Sequence, residues 1–89
     1  MSKRQPAPRF DLIPTQPLER LAARYALGAE IYGVGAWKTG LDERDIVNHA
    51  IAHLLAHRDR LDGAPETGDD DAAAVAWAGL TLMWYQEKK

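Results

Sequence analysis

Apolar positions along this chain recur at helical spacing, and none alternate with strand period. Leu18, Leu21 and Tyr25, with Ile31 or Tyr32, trace one side of a first helix. Thr15 suits its N-cap, Pro17 its first turn and Glu19 the positive end of its dipole. Gly33 and Gly35 supply the stop, and Gly28, unfavourable inside a helix, marks a break or a close approach. A second helix opens at Asp42. Its apolar stripe is Val47, Ala50, Ile51, Leu54 and Leu55. Its other side carries His49, His53 and His57 at intervals of one turn, with Asp45 and Asp42 upstream on the same side. The stripe is the expected core face, and the histidine ridge is either plain surface or a face that does chemistry. Gly63 ends this helix. A third runs from about Asp70 to Glu87 and is apolar on almost every side. Two neighbours in a small monomer cannot cover such a helix, so the pattern predicts a subunit interface around Trp77, Leu80, Met83 and Trp84. The expected fold is all-α: a three-helix small domain completing a helical bundle by homo-oligomerisation, as a homodimer or homotetramer.

The connections divide the chain further. Residues 1–9 carry Lys3, Arg4 and Arg9 between prolines and read as a basic mobile arm, leaving 10–89 as a single helical domain. Phe10, Leu12 and Ile13 are too apolar for a free tail and should pack on that domain. Trp37, in the glycine-rich link Val34–Leu41, either anchors the link to the core or stacks on a flat ligand such as a nucleobase. The turn Gly63–Asp71 concentrates Glu66, Asp69, Asp70 and Asp71. These carboxylates either cap the following helix in a solvated loop or hold magnesium.

Composition narrows the class. With 89 residues, 46% hydrophobic and 27% charged, the chain is at most one small globular domain. The absence of cysteine rules out disulfides and thiolate metal sites. A formal charge of −2 gives no basic excess for a nucleic-acid backbone, so no nucleic-acid partner is expected. No apolar run reaches membrane-span length and no signal-peptide core is present, which makes a cytoplasmic location the expectation.

Five ordered blocks then point to a family. They are PRFDLIP at 8–14, GAEIYG at 28–33, AWKTG at 36–40, NHAIAHLLA at 48–56 and PETG at 65–68. Together they resemble the phage-associated dATP/dGTP diphosphohydrolase N-terminal-domain family, itself linked to all-α MazG-like nucleoside triphosphate pyrophosphohydrolases. The resemblance implies an all-helical oligomer that releases pyrophosphate from purine deoxynucleotides with magnesium, in host cytoplasm if phage-encoded. His53 falls on the histidine of the family's Arg-His-Leu-Leu block, with Ala52 in the arginine's place. Glu66 falls on the glutamate of its Pro-Glu-Ser-Gly turn. Of the family's acidic run before that turn only Asp62 matches, and Asp71 and Ala74 replace two histidines after it.

Pyrophosphate release needs a metal, an oriented water and charge neutralisation. The candidate catalytic residues are His53, His49 and Glu66. Arg24, Lys38 and Arg58 are candidates for phosphates, and Tyr32 or Trp37 for the base. Asp42, Asp45, Asp70 and Asp71 are candidate ligands for Mg2+. A zinc site on His49 and His53 is the weaker option, because no glutamate follows His49. The missing family positions leave open a non-catalytic protein that holds a nucleotide without turnover, and the apolar last helix leaves open a small helical protein-interaction module.

Overall fold

The computed structural model describes residues 5–88 and consists of three helices, α1 (Thr15–Tyr32), α2 (Glu43–Leu61) and α3 (Asp71–Glu87), with single 3-10 turns at Phe10–Leu12 and Ala36–Lys38. No strand occurs among the described residues. The protein is therefore all-α, and the ends of α2 and α3 follow local chemistry. At α1 the N-cap is Pro14, and Thr15, expected to cap, is the first helical residue, with no side-chain cap. The Asp42 side chain caps α2 by accepting from the Arg44 N–H at 2.9 Å, and Asp70 caps α3 by accepting from the Ala73 N–H at 3.1 Å. Gly63, at φ 103°, takes the chain out of α2 in a conformation closed to most side chains. α1 passes through Gly28 without a break.

α3 is the shared element. α2 packs along it and α1 packs on it as well, while α1 and α2 hardly touch each other. The side chains α3 buries are small: Ala73, Ala74, Ala78 and Thr81. They let the neighbouring helix backbones come close. The Thr81 hydroxyl, fully buried, shares a 2.8 Å hydrogen bond with the Tyr25 hydroxyl of α1. Burial raises the Tyr25 pKa, and the bond to Thr81 only partly offsets that.

An aromatic cluster closes the other end of the molecule. Trp37 meets Tyr25 edge-on at 5.3 Å and Trp84 at 5.1 Å between ring centres. The Tyr85 hydroxyl donates to the Trp37 carbonyl at 2.7 Å. Each such ring pair adds about 0.5–1.5 kcal/mol beyond its area. Trp37 thus anchors the link between α1 and α2 to the end of α3.

Two expectations about apolar segments fail. Phe10 and Leu12 do not pack on the helices; they are 79% and 68% exposed. On α2, four of the five stripe residues, Val47, Ile51, Leu54 and Leu55, face outward at 43–53% exposure, while Ala50 turns toward α3. The side of α2 with the least exposure is Ile46, Ala50, His53 and Arg60 instead. Its rotation is set by ion pairing with α3 and by the small residues there, as described below. The expected core face is thus a surface of the single chain, and part of the expected polar ridge lies inside. The basic arm expected over residues 1–9 has Lys3 and Arg4 outside the described residues; residues 5–9 are irregular and exposed, with Arg9 paired to Asp11 at 2.7 Å.

Candidate functional site

The site assembles where α3 begins. Asp69, Asp70 and Asp71 are consecutive, and like charges this close are tolerable only with compensation. Each receives it from a helix. Arg24 of α1 reaches Asp69 at 2.9 Å, and its guanidinium holds that carboxyl below the usual range. Arg20, one turn earlier on α1, forks onto Asp70, with Nε at 2.9 Å. This fork, with a smaller contribution from the Ala73 N–H, lowers the Asp70 pKa to about 2.

Asp71 is different because it is buried, at 3% exposure. Its Oδ1 accepts from Nδ1 of His53 at 2.7 Å. A carboxylate only accepts, so Nδ1 of His53 carries the proton and Nε2 keeps the lone pair when the ring is neutral. Arg60 places Nη2 3.2 Å from the other oxygen, Oδ2, close enough for ion pairing. The angle is nevertheless too poor for a hydrogen bond, so Oδ2 is buried without one. Arg60 also donates to Nδ1 of His57 at 3.1 Å and to Glu66 at 3.1 Å. His53 and Arg60 are seven residues apart on α2, which puts both on the side that meets α3. A buried carboxylate with two basic partners fixes the rotation of α2.

Next to this pair lies an open cavity of about 470 Å³ lined by Arg20, His57, Arg60, Glu66, Asp69 and Asp70, among others. His53, Asp69 and Asp71 bring one donor atom each within 4.8 Å of one another, the arrangement a metal ion would need. His49 stands beside His53, with ring centres 5.6 Å apart.

Of the residues singled out in the sequence, His53, Glu66, Asp70, Asp71 and Arg24 come together here, and His49 borders them. His57 lines the cavity from an exposed position. Asp42 and Asp45 are not brought to the cluster. Helical rise sets them about 16 and 12 Å along α2 from His53, and Asp42 is committed to its cap. Arg58 lies on the outward side of α2, 3.4 Å from Asp59. Trp37, Lys38 and Tyr32 belong to the opposite end of the molecule. Trp37 packs on Trp84, about 20 Å along α3 from Asp71, and the Lys38 ammonium sits 5.7 Å over the Trp37 ring. Tyr32 is 77% exposed. Within one chain these residues and the acidic turn do not form one pocket. Arg20 and Arg60 are the site residues the sequence reading passed over. Their signal was there: Arg20 is one turn from Arg24, and Arg60 two turns from His53.

The fold and the site define a small all-helical protein with a histidine–aspartate pair and an arginine-lined cavity at the start of its last helix. The family model for dATP/dGTP diphosphohydrolase, N-terminal, matches residues 1–89, and the chain belongs to that family. No curated protein and no solved structure matches it.

Proposed function

We propose that the chain acts in purine deoxynucleoside triphosphate pyrophosphohydrolysis, taking dATP or dGTP to the monophosphate and pyrophosphate with magnesium. The observation that carries this reading is the His53–Asp71 pair at 2.7 Å beside an arginine-lined cavity, in a chain of the dATP/dGTP diphosphohydrolase N-terminal family. Asp71 holds the imidazole in one tautomer, the role an orienting carboxylate plays for a general base. His53 then takes the proton from an attacking water. Arg20 and Arg60 neutralise phosphate charge at the cavity wall. Asp69 and Asp71 are the carboxylates that would hold the ion, since the one lone pair of neutral His53 is used on the water. Bound there, magnesium would neutralise phosphate oxygens and acidify water.

Chromatographic assay of dATP and dGTP with magnesium tests this. Pyrophosphate should appear, and His53→Gln should abolish its release while nucleotide still binds. No product at high protein concentration would exclude turnover by this chain.

One observation favours a second reading. Asp69, Asp70 and Asp71 all carry a basic partner from α1 or α2, so the turn is stable as it stands. The chain would then hold a nucleotide without turnover. Thermal stabilisation by dGTP with no product supports that reading, and a melting temperature unmoved by any nucleotide removes both.

A further inference from the structure

Arg60 fixes more than the rotation of α2. Its Nη2 donates to Nδ1 of His57 at 3.1 Å. A guanidinium has only donors, so the imidazole nitrogen is the acceptor and carries a lone pair. An imidazolium has no lone pair to offer, so this ring is neutral and its proton sits on Nε2. His53 is held the other way round. Asp71 accepts from its Nδ1 at 2.7 Å, which leaves the lone pair on Nε2. Two histidines one turn apart on α2 are thus fixed in opposite tautomers, one by Asp71 and the other by Arg60.

The lining of the cavity gives the second tautomer its use. His57 borders it together with Arg20, Arg60, Glu66, Asp69 and Asp70. The three carboxylates only accept. Both arginines already carry carboxylates: Arg20 forks onto Asp70, and Arg60 lies 3.1 Å from Glu66 and 3.2 Å from Asp71. The hydrogen bond that His57 makes among the described residues is at Nδ1. Its Nε2–H is therefore a donor at the cavity with no acceptor in the chain. The ring is exposed, so a ligand oxygen reaches that donor by displacing water and breaks no ion pair.

We infer that His57 is a phosphate-contacting residue: its Nε2–H donates to an oxygen of the polyphosphate, and Arg60 is the positioning residue that keeps the proton on that nitrogen. The assignment rests on the reading of the cavity as a nucleoside triphosphate site. It separates the roles of two neighbouring histidines. The lone pair of His53 takes a proton, and the N–H of His57 gives a hydrogen bond. A neutral donor suits a place where two arginines already supply the charge.

Nitrogen NMR reads the tautomers directly. The chain has three histidines, and His49→Asn simplifies their ring correlations to two. Above about pH 8, where an ordinary imidazole is neutral, His57 should be a single tautomer with its proton on Nε2, and His53 one with its proton on Nδ1. A His57 ring protonated on Nδ1, or averaging between both forms like a free imidazole, overturns the inference. Two substitutions then separate contact from support. In His57→Asn the amide oxygen still accepts from Arg60, but no donor reaches the position of Nε2. In His57→Gln the amide nitrogen does reach it. Both are polar changes at an exposed helix position. The probe is inorganic pyrophosphate with Mg2+, titrated by calorimetry. His57→Asn should weaken its binding roughly tenfold, as expected for one lost hydrogen bond to a charged group, and His57→Gln should stay within about threefold of wild type. Equal affinity for wild type and His57→Asn overturns the inference and leaves the reading of the cavity intact. So does a His57→Gln chain as weak as His57→Asn, or a wild-type chain that binds dGTP but not pyrophosphate. A wild-type chain that binds neither removes the reading of the cavity as well.

Discussion

At the scale of single residues, Asp71 matters most. It is a buried carboxylate that joins the first turn of α3 to two basic groups of α2. Removing one member of a buried charge set leaves the others desolvated and unpaired, a loss of about 3–5 kcal/mol. Asp71→Ala should therefore lower stability to urea by about that much, with His53→Gln milder because an amide can still donate. A loss under about 1 kcal/mol for Asp71→Ala would mean that Arg60 and His53 turn out to water and the cluster does not hold α2. Asp70 gives a prediction in pH. Its folded pKa of about 2 lies below the ordinary carboxyl value, chiefly because of Arg20. A carboxyl lowered in this way contributes stability that is fully present above about pH 4. The contribution fades as pH falls toward 2 and the folded state, too, takes up the proton. The pair is partly exposed, so the effect is modest. Asp70→Asn keeps a helix cap and loses the charge, so its stability should fall less steeply between pH 4 and 2 than that of the wild type. Equal acid limbs in the two titrations would remove Arg20–Asp70 as a contributor.

Among the elements, α1 and α3 both carry a glycine in mid-helix. A Cβ built on Gly28 meets nothing within 4 Å. Gly28→Ala should then raise stability by about 0.5–1 kcal/mol through the unfolded chain's lost freedom, read as an increased midpoint in denaturant. A decrease would show that another backbone approaches α1 there in the assembled protein. The three helices were legible element by element because caps and stops are local. Asp42, Asp70 and Gly63 act on backbone groups within four residues of themselves. The side on which each helix packs was not legible in the same way. Hydrophobic period marks what must leave water, but not which chain covers it. On α2 it marked the stripe that faces outward, and the pairing of His53 and Arg60 with Asp71 turned the opposite side inward.

For the whole molecule, the structure is three helices held by α3, an aromatic clamp at one end and an ion-paired turn at the other. Among the described residues no helix is long and apolar enough to cross a membrane, so the exposed apolar stripe is not part of a spanning helix. If copies cover one another, stability depends on concentration through mass action. The melting temperature should rise by a few degrees for each tenfold increase in protein, and one that stays constant from 1 to 100 micromolar would point to a chain that stands alone.

The sequence alone left open whether Trp37 anchors its link and whether Asp70 caps α3; it determined the helical class, the Asp42 cap, the glycine stops and, through ordered short blocks, the family. These rest on interactions between near neighbours or on patterns that survive without coordinates. Tertiary structure decided which histidine is half-buried, that Asp69, Asp70 and Asp71 each take a basic partner, that Arg20 and Arg60 belong to the site, and that Trp37 and the acidic turn lie at opposite ends. Those facts depend on how α1 and α2 are rotated against α3. That rotation is set by pairs 18 to 56 residues apart in the chain, from His53–Asp71 to Tyr25–Thr81, whose matching no local pattern encodes.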